Sequence, residues 1–438
     1  MNELNLAVAR WLVGADGRHA VAEATQLLDD GTDELRVITA LRAHIDDPAR
    51  TAAAVAAGIA RRRARDRWVE ADRLLFTRES LEQASDPVVA GWRARRFADQ
   101  PVYDLCSGVG GDAMALARRA RSVTAVDRDA ARLVLLEHNA AILGLSVATL
   151  IGDATDIVIP TDQVVHADPA RRRDGHRMGD PTRTVPPVDA LVAAHLTAPG
   201  RAIVLAPGTD ADHPALGTEV EVEYLQLGND LVEAVAWSGI LRDGSATASA
   251  TILPRLPVIP TPGGATGPSP GAVPGAAPPG GTAASDGGAD LPGAVHRSRS
   301  GERGPRLPVG DVGSHLIEVS SAAVRARLHD EIGAEIDARR LARQRALLTT
   351  DTAPPDSPWY RARPVLEVLA ARPGPIKRWL AADDRGPIEL VLHGVRADPL
   401  AWWRELGRPL RGPGGVRVEL IRRDDDAVAV ITGDRRPV

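Results

Sequence analysis

Cysteine, lysine and aromatic residues are scarce in this chain of 438 residues. The single cysteine, Cys106, excludes an intramolecular disulfide and a cysteine-rich structural zinc site. One lysine, Lys377, leaves arginine to carry nearly all the positive charge. With two Phe and three Tyr, aliphatic side chains and alanine must fill the cores. The formal net charge of -5 excludes a global basic field, so any nucleic-acid contact must come from local patches. No stretch approaches about 18 uninterrupted apolar residues, which argues against a membrane span. The N-terminus lacks the basic start and apolar run of a signal peptide. A cytoplasmic location follows as the default expectation. The histidines are scattered: neither His138 nor His166 shares metal-ligand spacing with a second ligand, so no structural metal is expected.

What is present divides along the chain. Residues 1–95 are helical in pattern, with Leu4, Val8, Trp11 and Leu12, then Leu35, Ile38 and Leu41, at helical spacing. The basic run Arg61–Arg67 reads as a solvated helix face, with RNA contact as the functional alternative. From residue 96 to 254 short apolar runs alternate with helical patterns. Strands are expected at 102–105, 123–127, 148–151, 163–168 and 201–206, and helices at 113–120 and 130–143. That alternation implies a parallel sheet covered on both faces, an α/β fold. Glu219–Leu227 and Leu231–Trp237 then flank Gly228-Asn-Asp230 as a hairpin. Residues 255–313 are Pro, Gly, Ala and Ser with few large apolar side chains, the composition of a flexible linker. Residues 314–438 return to globular composition as a small α+β domain. There Ser320 can cap a helix over Ala322–Asp330, Pro399 can open a helix to Leu406, and Val416–Ile421 with Ala427–Ile431 form a terminal hairpin.

The chemistry concentrates in Val102-Tyr-Asp-Leu-Cys-Ser-Gly-Val-Gly-Gly-Asp112. This segment sits between a strand and a helix, at the carboxyl edge of the sheet, where open α/β folds bind ligands. Gly108 and Gly110 let backbone pass close to a ligand. A glycine turn alone has little specificity, but acids follow at each later strand end. Asp127 can accept from both hydroxyls of an adenosine ribose, and Asp153 from an adenine amino group. Asp168 ends the fourth strand in Asp-Pro-Ala-Arg. The bland alternative is that each acid caps the helix after its strand. A dinucleotide site is the chief rival, since Ala113 is tolerated at the last position of the glycine pattern. Against it, Asp104 would repel a pyrophosphate but suits the ammonium of a methionine moiety. No P-loop lysine exists.

On these residues the chain resembles the class I S-adenosylmethionine (SAM)-dependent methyltransferases, with a Rossmann-like catalytic domain. The resemblance implies SAM as cofactor, held by Asp104, Ser107, Gly108, Gly110, Asp127 and Asp153. His315–Ala326 and His393-Gly-Val-Arg-Ala-Asp-Pro399 look like a C-terminal THUMP-like module, which implies an RNA partner. Leu75-Phe-Thr-Arg-Glu79 is similar to a segment of trimethylguanosine synthases, with Arg78 in place of their proline. That similarity puts Phe76 over the cofactor and Thr77 on its methionine carboxylate. The plainer reading makes Phe76 a core residue and Thr77 a helix cap. Asp168 and Pro169 stand at the catalytic position of amino-methyltransferases, without the aromatic that usually follows. Asp168 can orient an acceptor nitrogen, while Arg171 and Arg172 can hold phosphates. Cysteine-based covalent catalysis is disfavoured, because Cys106 lies inside the cofactor turn.

Three functions remain: an RNA methyltransferase acting on nitrogen, a small-molecule methyltransferase, and a SAM-binding scaffold without catalysis. Residues 314–438 hold 21 Arg and Lys against 18 Asp and Glu, which is only slightly basic.

Overall fold

The computed structural model of the chain describes residues 4–173, 176–177, 179–255, 293–300, 306–382, 388–406, 415–424 and 426–433. It divides into two units, one of residues 1–228, 232–244 and 253–294, the other of residues 229–231, 245–252 and 295–438.

The first unit opens with α1 (Leu6–Val13), α2 (Ala15–Asp29), α3 (Glu34–Leu41) and α4 (Pro48–Ala64). The Asn5, Asp33 and Asp47 side chains each accept a first-turn backbone N–H, which explains where three of the helices start. The basic run after Ala60 is not a uniformly solvated face. Arg61 is buried, and its guanidinium donates to the Leu74 carbonyl at 3.3 Å. Burial lowers its pKa to about 10 despite the opposing charge of Asp72. Arg62 and Arg65 pair with Asp29 of α2, and Arg67 donates to the Leu81 carbonyl. Four cations of the run, Arg61, Arg62, Arg65 and Arg67, are thus engaged by the protein's own acids and carbonyls. Two further helices, α5 (Arg78–Gln83) and α6 (Pro87–Ala94), lead to the sheet.

The sheet strands of this unit begin with β1 (Pro101–Leu105), β2 (Ser122–Asp127), β3 (Ala148–Ile151) and β4 (Val164–Ala167). Between them run α7 (Gly111–Leu116) and α8 (Ala130–Ile142). The helix expected over 113–120 stops early, because residues 119–121 turn back to the strand entry: Asp99 N donates to Arg119 O and Arg121 N to Gln100 O. After β4 come a two-residue ribbon of β5 (Arg172–Arg173) and β6 (His176–Arg177), then α9 (Val188–Ala194) and β7 (Gly200–Leu205). The hairpin strands β8 (Val220–Leu227) and β9 (Asp230–Gly239) follow. Strand order is β8-β9-β7-β4-β1-β2-β3. Strands β7, β4, β1, β2 and β3 are mutually parallel, and β7 pairs antiparallel with β9. The helical region is not a separate body. Val109, Met114 and Leu135 of the sheet layer share one core with Leu12, Val37, Trp68 and Leu75.

The second unit contains β10 (Ala246–Leu253) paired antiparallel with β11 (Val295–Ser300). Strand β11 lies inside the segment expected to be linker, so that expectation is corrected over 295–300. Main-chain ladder bonds to β10 do not require large apolar side chains. Residues 256–292 of the expected linker lie outside the described residues. The remaining strands are β12 (His315–Val319), β13 (Arg339–Arg340), β14 (Leu347–Thr350), β15 (Tyr360–Ala370), β16 (Ile388–His393), β17 (Val416–Arg422) and β18 (Ala427–Gly433). They form one sheet in the order β13-β14-β12-β15-β18-β17-β16. Only the β16–β17 pair is parallel. The helix expected over 322–330 is broken into α10 (Ser321–Arg325) and α11 (His329–Ala334). Between them Arg327 takes the left-handed φ of 61°. Ser320 caps α10 as expected. Against the far end of the sheet, Ile376 and Leu380 of α12 (Pro373–Ala382) and Leu406 of α13 (Pro399–Leu406) pack on Val418, Leu420 and Ile431.

Candidate active site

From β1 the chain proceeds outward to β2 and β3, then crosses back to place β4 on the other flank of β1. This reversal of strand order opens a crevice at the carboxyl ends of the strands. A cavity of about 400 Å³ occupies it, lined by Asp104, Ser107, Gly108, Asp127, Asp153 and Asp168, among others. The four acids picked out at successive strand ends therefore meet around one space.

The turn after β1 is built by backbone conformation. Cys106 and Gly108 take positive φ, 61° and 55°, and Ser107 N donates to Val126 O of β2 at 3.1 Å. Asp127 secures the turn from the next strand: its Oδ2 accepts from Gly108 N and its Oδ1 from Asp129 N, both at 2.9 Å. Each carboxylate oxygen keeps a further lone pair for a ligand hydroxyl. A Cβ at Gly108 would meet no protein atom within 4 Å, so the space beside it is open. Asp153 accepts from Thr155 N and Oγ1, and these bonds hold its carboxyl below the usual range. Asp168 lies 3.9 Å from Arg171, whose other guanidinium nitrogen donates to Leu205 O. Pro169 and Arg171 line the same cavity. Ala170 and Val185 exchange backbone hydrogen bonds of 2.9 and 3.0 Å beside it.

Behind the acids lie two buried arrangements that the sequence did not reveal. Asp104 and His166 are register partners on β1 and β4, so both side chains project from the same face. Each is 1% exposed, and Nδ1 of His166 lies 2.7 Å from Asp104 Oδ1. Burial opposes a charge on His166, but the Asp104 hydrogen bond and carboxylate outweigh it and raise the imidazole above its ordinary value. On α6, the fully buried Arg93 pairs with Asp112 of α7 and Glu233 of β9 and donates to Ser85 Oγ at 2.8 Å. Burial alone would lower its pKa; the two carboxylates more than reverse that. In the sequence Asp112 is simply the end of the glycine segment. Its partner lies 19 residues away on another helix, a separation with no periodic signature.

Several expected ligand residues stand elsewhere. Phe76 is 1% exposed in the helical core, its ring 5.5 Å from that of Trp68. Thr77 caps α5 in a reciprocal arrangement with Ser80. Neither lines the cavity. Gly110 does not face the cavity either, since a Cβ there would meet Leu136 Cγ of α8 at 2.7 Å. Its φ of 94° and the close helix approach are what require glycine. The Arg172 side chain lies outside the described residues. Cys106 lines the cavity, but burial and then the Asp127 charge push its thiol up, so it stays protonated and non-nucleophilic at neutral pH.

A glycine turn at the switch point, with an acid at each of four strand ends, defines the class I SAM-dependent methyltransferase fold. Comparison with known proteins agrees. Residues 100–168 match a family model described as RNA cap guanine-N2 methyltransferase. The chain is 30% identical over 361 residues to an uncharacterized S-adenosylmethionine-dependent methyltransferase of Mycobacterium tuberculosis, in each of two strains. That alignment covers 82% of this chain and 87% of the relative. The crystal structure of a candidate methyltransferase from Porphyromonas gingivalis has the same fold, with a TM-score of 0.69 at 18% identity. It spans 98% of this chain and 97% of its own. The chain belongs to the S-adenosylmethionine-dependent methyltransferases, and SAM is its cofactor.

The residues present fit that cofactor. Asp104 Oδ2 and Ser107 Oγ are buried beside the cavity with no hydrogen-bond partner among the described residues. An unsatisfied buried polar atom costs about 1–3 kcal/mol, so both call for a ligand. Acids rather than cations dominate the turn, which suits a molecule carrying ammonium and sulfonium charges. Among the described residues no group of His, Cys, Asp and Glu could hold a metal ion, and no helix is long and apolar enough to cross a membrane.

Proposed function

We propose that the enzyme methylates a nitrogen of an RNA nucleotide. One observation carries this reading: the stretch similar to RNA cap guanine-N2 methyltransferases ends on Asp168, which lines the cavity of the cofactor turn. SAM, when bound, supplies an electrophilic methyl group on its sulfonium sulfur. Asp127 accepts from the ribose hydroxyls, Asp153 from the adenine amino group, and Asp104 with Ser107 holds the methionine end. Asp168 accepts a hydrogen bond from the acceptor amine and fixes its lone pair toward the methyl group, a contribution of positioning. Pro169 stiffens that segment, and Arg171 holds a substrate phosphate. No aromatic occurs in Asp168-Pro-Ala-Arg171, so base stacking is supplied from outside this motif. The second unit acts as a THUMP-like module that captures RNA.

The test is transfer of tritiated methyl groups from SAM into total RNA by wild type and Asp168→Ala. Wild type should label RNA, and the variant should lose at least about a hundredfold in rate, as positioning losses can. Label entering only a small-molecule fraction defeats the RNA reading. Calorimetry with S-adenosylhomocysteine should give similar affinity for both proteins and at least about tenfold weaker binding for Asp127→Ala, each 1.4 kcal/mol being a factor of ten. Undiminished affinity in Asp127→Ala removes the ribose assignment.

A further inference from the structure

Asp104 and His166 make a closed pair. Each is 1% exposed. Nδ1 of His166 lies 2.7 Å from Asp104 Oδ1, and its Nε2 is buried with no partner among the described residues. Asp104 Oδ2 has none either. Each side chain is therefore the other's hydrogen-bond partner, with one carboxylate oxygen left over. That oxygen belongs to a residue lining the cofactor cavity, whereas His166 is not among the lining residues. The imidazole stands behind the carboxylate and reaches a ligand only through it.

The surrounding charges decide which form the pair takes. A buried ionised carboxylate is costly without a compensating charge. Burial pushes the Asp104 carboxyl up; the hydrogen bond and charge of His166 oppose this, while Asp112 and Asp168 add to it. Arg93, the other buried cation nearby, is committed to Asp112 and Glu233. Among the described residues His166 is thus the one cation in contact with Asp104. For the imidazole itself, burial and Arg93 disfavour the charge, but the Asp104 hydrogen bond and the Asp112 and Asp104 charges outweigh them. On its remaining sides His166 meets the Phe97 ring, 5.9 Å away between centroids, and its register partner on β7 is Ala202. Neither titrates.

We propose that His166 is a positioning residue for the cofactor: as the imidazolium it balances the charge of Asp104 and holds the carboxylate so that Oδ2 meets the ammonium of the methionine moiety. A neutral donor on Nδ1 would supply the hydrogen bond but not the charge. A protonated Asp104 would offer the ammonium only a neutral acceptor, and hydrogen bonds between ionised groups are roughly twice as strong as neutral ones. The inference rests on the assignment of Asp104 to the methionine end and is independent of the RNA acceptor.

Calorimetry on the full chain compares two ligands. S-adenosylhomocysteine carries the ammonium; methylthioadenosine keeps the adenosine and thioether sulfur but lacks the amino-acid end. His166→Gln retains a hydrogen-bond donor and removes the charge. It should bind S-adenosylhomocysteine about tenfold more weakly, and methylthioadenosine within about twofold of wild type. Asp104→Asn should show the same selectivity. Adding His166→Gln to that variant should weaken binding no further, because His166 acts through Asp104. Unchanged binding of S-adenosylhomocysteine by His166→Gln, or an equal loss for both ligands, overturns the inference. If Asp104→Asn binds S-adenosylhomocysteine like wild type, the assignment of Asp104 falls and the role of His166 with it. If Asp104→Asn is selective and His166→Gln is not, only the role of His166 falls. Wild type offers a measurement independent of how the variants fold. An ammonium brought to Asp104 competes with the imidazolium for the same carboxylate and weakens its hold on the proton. Near neutral pH, calorimetry in buffers of different ionisation enthalpy should show proton release with S-adenosylhomocysteine and none with methylthioadenosine. The same proton count for both ligands overturns the proposal.

Discussion

At the scale of single residues, the two glycines of the cofactor turn do different work. Gly108 borders open space, whereas Gly110 is pressed against Leu136 of α8. Gly108→Ala should cost only about 1–2 kcal/mol of stability, the strain of a left-handed alanine. Its added methyl group enters the ligand's space, so affinity for S-adenosylhomocysteine should fall at least about tenfold. Gly110→Ala carries the same backbone strain plus a clash with Leu136, and should cost a further 1–3 kcal/mol or so. Urea unfolding and calorimetry together separate the two variants. A Gly108→Ala protein that binds as tightly as wild type would contradict the open-space argument. The sequence shows both glycines as one motif, because spacing alone does not report what lies behind each Cα. Phe76 is the same case: its apolar ring suits a cofactor lid or a core equally, and only the neighbouring Trp68 ring decides.

At the scale of elements, strand register makes the Asp104–His166 pair, since residues opposite each other on β1 and β4 share a face. The raised pKa of His166 has a consequence of definite sign. A group whose pKa rises on folding contributes stability below its unfolded value of about 6.5 and loses it as pH climbs through the folded value. Asp104 and Asp112 favour its charge, and Arg93 opposes it. The urea midpoint of wild type should therefore decline as pH is raised from about 6 past 7, and His166→Gln should flatten that decline. An equal slope in both proteins would assign the dependence to another group. Element boundaries were legible where local chemistry marks them, as with Ser320 before α10 and Pro399 at the start of α13. They were misread where the chain is recruited elsewhere. Residues 119–121 join the strand entry, and the break at Arg327 has no glycine or proline to announce it.

At the scale of the whole molecule, each of the two units carries its own cavity. Ligand binding stabilises the state that holds it, by about 2.7 kcal/mol at a hundredfold excess over Kd. S-adenosylhomocysteine should accordingly slow hydrogen exchange in peptides covering 104–112, 126–132 and 152–155. Failure to protect all three would contradict a ligand spanning these strand ends. The change of hydrophobic period marks where the helices α1 to α4 give way to the strands of the first sheet. The antiparallel half of the second sheet, β12 to β15, was largely missed: its pairs join residues far apart in the chain.

The amino-acid sequence by itself determined the cofactor class. Asp104, Asp127, Asp153 and Asp168 each follow a short apolar run, and strand ends and turns are written in local residue order. Which side chains stand behind those acids was decided only by the tertiary structure. Arg93 reaches Glu233 across 140 positions, and Asn139 of α8 takes both the N–H and the carbonyl of Leu75 across 64. The same holds for Gly394, whose missing side chain makes room for the guanidinium of Arg345. Partners of this kind are chosen by packing and charge neutralisation in three dimensions, and neither leaves a period or a spacing along the chain.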